Sequence, residues 1–126
     1  MIIKYKYSMD YIISSVTLLA LDSIYLSVTK PFFSSLIKNI QNKELQVRLM
    51  PSVAAYIFIL FGLYTLIISK HRSAKEAFYL GMVIYGVFEL TNYAIFDKWT
   101  IYPVIFETLW GGVLLYLTTK ITYLFR

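Results

Sequence analysis

Long apolar stretches, separated by short polar ones, dominate this sequence. Four of them, residues 11–29, 49–69, 77–96 and 101–122, are each about as long as the 20 residues that a helix needs to cross a bilayer. They are too long for strands, and an open sheet cannot satisfy its backbone in lipid. The pattern therefore predicts one all-α domain over residues 1–126, an integral membrane four-helix antiparallel bundle.

The connections between these stretches differ in length. Residues 70–76 and 97–102 are tight links, which make the second, third and fourth spans antiparallel neighbours. The first link, residues 30–48, is longer and carries apolar residues at helical spacing: Phe33, Leu36, Ile37 and Ile40. This spacing favours an amphipathic helix on the membrane surface, and an ordinary solvated loop is the alternative.

Composition supports lipid as the solvent. Hydrophobic residues make up 59% of the chain and charged residues 15%, and mean hydropathy is +0.65. The absence of Cys excludes disulfides and thiolate metal sites, and a single His cannot form a His-rich one. The net charge is +5, but the basic residues lie outside the apolar runs. Topology and lipid headgroups account for them, and no nucleic-acid partner is expected.

The distribution of Lys and Arg predicts an orientation. Seven basic residues lie on the side that holds both termini, and five lie on the other side. Cytoplasmic loops of membrane proteins carry the excess of basic residues. The termini are therefore expected to be cytoplasmic. The run 11–29 is expected to stay in place as a span rather than act as a signal peptide, because Asp22 interrupts it and no cleavage site follows.

Three of the four spans contain one carboxylate each: Asp22, Glu89 and Glu107. A charged side chain at the bilayer centre costs at least ~2.5 kcal/mol, so such residues face the interior of a bundle or a cavity. At ~1.5 Å per residue, Asp22 lies about 17 Å from Tyr11, and Glu89 and Glu107 lie about 18 Å from Ala77 and Thr119, all counted from the side of the termini. The sequence therefore predicts a buried layer of carboxylates at one depth.

Polar and aromatic residues accompany these acids at helical spacing. Each acid has one three residues later on the same helix face, and Tyr85 lies four residues before Glu89. The predicted second shell is therefore Tyr25, Tyr85, Asn92 and Trp110. No Lys or Arg occurs between residues 11 and 29, 49 and 69, 77 and 96, or 101 and 119. The acids are thus protonated and hydrogen-bonded, or bind a cation or amine, or are reached by water.

These features support two main functions. In the first, Asp22, Glu89 and Glu107 bind or conduct a proton, a cation or a cationic small molecule. In the second, the protein is a structural or accessory subunit of a membrane assembly, and the acids only hold helices together. A lipid enzyme is disfavoured because no His, Cys or Lys joins the acids. The lipid bilayer is one expected partner; a homo-oligomer or a membrane-protein partner is another. The sequence identifies no cofactor and no particular metal.

Three segments resemble a known family. They are Leu21–Leu26, the stretch Tyr85–Asn92 followed by Trp99, and Glu107–Gly111. These segments are similar to a domain-of-unknown-function family of small predicted membrane proteins, found in bacteria and in some large DNA viruses. The resemblance covers about residues 11–124. It implies a four-helix integral membrane protein and no established activity. In the family pattern Asp is usual at positions 89 and 107 and Trp at position 25, so the carboxylates are retained here.

Overall fold

The computed structural model describes the backbone of residues 2–126 and the side chains of residues 7–126. Within that part of the chain the structure is helical, with no strand, as the sequence predicts. All four helical segments are long and apolar enough to cross a membrane. The elements are α1 (Ile2–Gln41), α2 (Leu49–Leu63), which continues into a π-helical turn (Tyr64–Ile68), α3 (Ala74–Ile95) and α4 (Ile101–Phe125).

Helix α1 is longer than the span predicted from the sequence. Its 40 residues extend about 60 Å, twice the ~30 Å of a hydrocarbon core. The predicted amphipathic helix after Lys30 is therefore helical but not separate, because α1 continues through Pro31 to Gln41. Its apolar stripe packs on the start of α4, where buried Leu36 contacts the cluster of Trp99 and Val104. This packing offsets the backbone hydrogen bond that proline removes.

Local signals fix the two tight turns. At the start of α3 the side chain of Ser73 accepts a hydrogen bond from the backbone N–H of Glu76 at 3.2 Å, and Glu76 is an acid in the first helical turn. Both features stabilise a helix N-terminus. His71 has a φ of 54°, which reverses the chain after the π-helical turn. Thr100 precedes α4, and Pro103 lies in its first turn, where its missing N–H is not needed.

Helix α4 lies at the centre of the bundle. Of its most apolar 18-residue window 44% is buried, against 17 to 22% for the other spans. Its small residues let α3 approach closely, because a Cβ on Gly81 would lie 2.0 Å from the carbonyl oxygen of Gly111. The core beside this contact is formed by leucines and isoleucines of all four helical segments, including Leu18, Leu63, Ile68, Leu114 and Leu115.

The bundle has two ends. The end with residues 7–10, 69–73 and 120–126 is called the terminal end here. The end with residues 40–48 and 96–100 is called the loop end. Large apolar side chains such as Ile57, Phe58 and Phe61 point outward from α2 between these ends. They form the surface that a membrane-spanning helix presents to lipid.

Candidate functional site

The three predicted acids are all buried inside the bundle. Asp22 on α1 is 5% exposed, Glu89 on α3 is 1% exposed and Glu107 on α4 is 9% exposed. Each one is placed by a helix whose other faces are apolar, so its carboxylate has no route to lipid headgroups. Their hydrogen-bond partners therefore come from the neighbouring helices and loops of the protein.

Asp22 and Glu107 exchange partners across the contact between α1 and α4. The indole Nε1–H of Trp110 donates to Oδ1 of Asp22 at 3.0 Å, and the hydroxyl of Tyr25 donates to Oε1 of Glu107 at 2.9 Å. The two donating rings stack with centroids 4.5 Å apart and planes 7° from parallel. The sequence spacing assigned each ring to the acid of its own helix. The antiparallel register instead gives each acid the ring of the opposite helix.

A third helix joins at Asp22. The hydroxyl of Tyr56, in the middle of α2, donates a hydrogen bond to Oδ2 of Asp22. Both oxygens of this carboxylate therefore accept a bond from a neutral donor, one from α2 and one from α4. Tyr56 is absent from the sequence-based set of site residues. Its only signal was a tyrosine near the middle of an apolar span, away from the interface where most tyrosines of membrane proteins lie.

Glu89 has a different donor from the one that its spacing suggested. The indole Nε1–H of Trp99, in the loop before α4, donates to its Oε1 at 3.1 Å. Trp99 is buried and joins the site through this bond. Asn92 is half-buried, and its side chain is not hydrogen-bonded to any of the three acids. The ring of Tyr85 lies against Gly111, where an added Cβ would be 2.3 Å from Cδ1.

The acids lie at successive levels along α4 and not in one layer. Asp22 accepts a hydrogen bond from Trp110, so it is level with about residue 110 of α4. On α3, Gly86 faces Thr108 of α4. Because α3 and α4 are antiparallel, Glu89, three residues after Gly86, is level with about residue 105. Asp22 and Glu89 are thus separated by about five residues, or about 8 Å, along α4, with Glu107 between them. The predicted single layer was counted from the ends of the apolar runs, and these ends do not fix the register between helices. Asp22, Glu107 and Glu89 form a stepped line, named here the carboxylate row.

All the donors to the carboxylate row are neutral. Indole N–H groups donate only, but a tyrosine hydroxyl can also accept. The tyrosine hydroxyl donates to the ionised carboxylate, and it can accept from the same group once that group is protonated. The Tyr25–Glu107 and Tyr56–Asp22 bonds therefore persist in both states. Among the described side chains no group of three or more His, Cys, Asp or Glu lies close enough together to hold a metal ion. The row can therefore bind protons, or bind a cation through the oxygens of a single carboxylate.

A second buried acid lies at the terminal end, outside the spans considered from sequence. Asp10 is 1% exposed, and its Oδ2 lies 3.4 Å from Nη1 of Arg126. Nη2 of Arg126 is 2.6 Å from Nδ1 of His71, and its guanidinium lies over the ring of Tyr123. These residues, Asp10, His71, Tyr123 and Arg126, are named the terminal cluster. In the terminal cluster Arg126 is a cation beside the buried acid. The carboxylate row has no such cation.

Comparisons with known proteins address the family of the chain. No curated protein gives a significant match, and no solved structure does. The sequence profile of a family described as "Predicted membrane protein (DUF2177)" matches residues 7–124, which include all the residues of the carboxylate row. The four apolar helices agree with that description. The chain is therefore a multi-pass integral membrane protein that belongs to the DUF2177 family of predicted membrane proteins, a domain of unknown function.

Proposed function

We propose that the carboxylate row binds a positively charged species, of which the proton is the simplest. The observation that carries this proposal is the contrast between acids and bases inside the bundle. Three carboxylates are buried, and no Lys or Arg lies within residues 11–29, 49–69, 77–96 or 101–119 around them. Buried charges without a counter-ion are strongly unfavourable. Taking up a positive species removes that penalty.

The local chemistry supports a proton before other occupants. Tyr25 and Tyr56 can reverse their hydrogen bonds when Glu107 or Asp22 is protonated, so no bond is lost. A multivalent metal ion would need several carboxylates around one point, and the described acids are not grouped in that way. The stacked rings of Tyr25 and Trp110 leave no gap between them for an organic cation.

The test uses purified protein in detergent with two readouts, thermal unfolding and tryptophan emission. Both tryptophans of the chain donate to carboxylates of the row, so their emission reports on the row and not on the terminal cluster. Protonation removes an uncompensated buried charge. Stability is therefore expected to rise as pH falls, because the folded state then binds more protons than the unfolded state.

Three single variants remove the charges of the row: Asp22→Asn, Glu89→Gln and Glu107→Gln. Each one is expected to flatten the pH dependence of stability and of emission. Asp10→Asn is the matched control, since it removes a buried acid that already has Arg126 as a partner. Titrations with sodium, potassium and choline at constant pH distinguish a larger cation from a proton. If all three row variants keep the pH and cation dependence of the wild type, the proposal is wrong.

A competing proposal is that the row only holds helices together in a structural or accessory subunit. The bonds from Tyr56 and Trp110 favour it, because they tie α1 to α2 and α4 through one carboxylate. Interhelical bonds of this kind contribute about 0.6 to 2 kcal/mol each. This proposal expects the row variants to lower stability equally at all pH values, and a stoichiometric membrane partner, or a second copy, to co-purify with the protein.

We also propose that the termini are cytoplasmic, as the excess of basic residues on that side suggests. The natural chain has no Cys, so single-cysteine variants give a clean test. Lys70→Cys places a thiol at the terminal end and Lys43→Cys places one at the loop end. In intact cells a membrane-impermeant maleimide is expected to label Lys43→Cys only. Labelling of Lys70→Cys alone would reverse the orientation.

A further inference from the structure

A polar cavity lies at the loop end, away from the carboxylate row. Its volume is about 670 Å³, and it is bordered by the end of α1, the connection that follows and the residue before α2. Its lining consists of Lys38, Gln41, Asn42, Lys43, Glu44, Gln46 and Arg48. Three of these residues are basic and one is acidic, so the cavity is positively charged.

The basic residues of this cavity are not all paired. Lys38 forms an ion pair with Glu44 at 3.1 Å, which accounts for the only acid in the lining. Within the described part of the chain the side chains of Lys43 and Arg48 form no ion pair or hydrogen bond. Two cations thus remain available at one cavity. Arg48 also precedes the first turn of α2, which has neither a side-chain cap nor an acid. In that turn Leu49 and Met50 carry N–H groups with no partner inside the helix, whereas Pro51 has no N–H. Free N–H groups at a helix N-terminus attract anions.

The backbone around the cavity is held in place by the chain itself. The side-chain Nε2 of Gln41 donates to the carbonyl oxygens of Lys43 at 3.3 Å and of Glu44 at 3.1 Å. Asn42 adopts a φ of 58°, and its N–H donates to the carbonyl of Lys38 at 2.9 Å. This turn is therefore ordered before any ligand arrives, which lowers the entropy cost of binding.

Exposed apolar residues adjoin the lining residues of this cavity in the chain. Val47, Leu49 and Met50 are 76, 76 and 83% exposed, and α2 enters its apolar span directly after them. Basic groups beside exposed apolar groups at the start of a span match the two parts of an anionic lipid, a charged headgroup and an acyl chain.

We infer that this cavity binds a phosphate group, with Lys43 and Arg48 as its ligands. The phosphate belongs either to the headgroup of an anionic lipid or to a free anion, and the two sources share this chemistry. Basic residues near an anionic surface are worth about 1 kcal/mol each. Removing both is therefore expected to weaken binding about thirtyfold.

The experiment compares the wild type with Lys43→Gln/Arg48→Gln, each reconstituted in nanodiscs. The lipid is phosphatidylcholine alone or a mixture with phosphatidylglycerol, and inorganic phosphate is added to separate phosphatidylcholine samples. Lys70→Gln/Lys75→Gln is the matched control, because it removes the same charge at the terminal end. Retained lipid is counted by native mass spectrometry, and protection is measured as a shift of the melting temperature.

A headgroup site gives selective retention of phosphatidylglycerol and a higher melting temperature with it, both lost in Lys43→Gln/Arg48→Gln and kept in the control. A site for free phosphate gives protection by inorganic phosphate with the same dependence on the two residues. The inference fails if neither phosphate source protects the wild type. It fails equally if both double variants lose protection to the same extent, since the effect would then be general surface charge.

Discussion

The buried carboxylates at two levels of this bundle have opposite kinds of partner. At the terminal end Asp10 faces the guanidinium of Arg126 at 3.4 Å. In the carboxylate row Asp22, Glu89 and Glu107 accept hydrogen bonds from two indoles and two phenols. Both regions are buried to a similar degree, so burial does not explain the difference. The difference lies in whether the protein supplies the counter-charge itself.

This contrast separates the roles of the two regions. The charge of an acid that has its own cation is already compensated within the protein. Removing one partner leaves an uncompensated charge. An acid with neutral donors is solvated but not neutralised. It therefore remains able to take a positive species from outside. Variants that disturb one region and leave the other intact test this division, and tryptophan emission identifies the region because both indoles lie in the row.

The largest effect is expected from Gly81→Ala, next to the row. The new Cβ would lie 2.0 Å from the carbonyl oxygen of Gly111, a backbone atom that cannot move without separating α3 from α4. We expect a loss of about 3 kcal/mol in the free energy of unfolding, measured by SDS unfolding in mixed micelles. Tryptophan emission should also change, because Gly111 is adjacent to Trp110.

Gly86→Ala is the matched control for this substitution. It lies in the same helix, and its new Cβ would be 3.4 Å from the methyl group of Thr108, an ordinary contact. Its stability should be unchanged or higher by about 1 kcal/mol, as expected for alanine in place of glycine in a helix. Equal losses in the two variants would show that α3 and α4 are not in close contact at Gly81.

The next effect is expected at the terminal end. Arg126→Gln leaves the carboxylate of Asp10 buried without its cation, at a cost of about 2 kcal/mol, since Arg126 is partly exposed. Asp10→Asn/Arg126→Gln should recover much of that loss, and tryptophan emission should not change in either protein. Simple addition of the two single effects would contradict the pairing of these residues.

The sequence predicted the helices well because the length of an apolar run is itself the physical requirement for crossing a bilayer. It was less accurate at their ends. The charge of Lys30 suggested that the first span ends at residue 29, yet α1 continues through Pro31 to Gln41. The reason is tertiary: the stripe that contains Leu36 packs on Trp99 and Val104, and no local signal reveals that partner.

The burial of the three acids was also predicted from the sequence, since a charge in an apolar run is conspicuous. Their partners were not. Whether Trp110 donates to Glu107 or to Asp22 depends on the register between α1 and α4, and one sequence does not contain that register. Tyr56 could not be distinguished among the 12 tyrosines of the chain. Asp10 lies just outside the predicted first span, so the search for charges within apolar runs does not reveal it.

A smaller effect is expected from Trp110→Phe, which keeps a ring beside Tyr25 but removes the N–H donor to Asp22. Losing a hydrogen bond to a charged group costs about 1.5 to 3 kcal/mol. Tyr56 still donates a hydrogen bond to the other oxygen of Asp22. The free energy of unfolding in SDS is therefore expected to fall by an amount near the lower end of this range, about 1.5 kcal/mol. The loss should shrink in the Asp22→Leu background, which has no oxygen to accept this bond. An undiminished loss there would assign the effect to packing of the indole ring.

The smallest effect is expected from Tyr25→Phe, which removes only the hydroxyl that donates to Glu107 and keeps the stack on Trp110. About 1 kcal/mol should be lost. Tyr102→Phe is the control, because Tyr102 is largely exposed. A double-mutant cycle gives a sharper test: Tyr25→Phe should couple to Glu107→Leu and not to Asp22→Leu, since leucine has no oxygen to accept the bond. Coupling to Asp22 instead would restore the pairing of each acid with the ring of its own helix. The crossed arrangement, and with it the stepped order of the carboxylate row, would then be wrong.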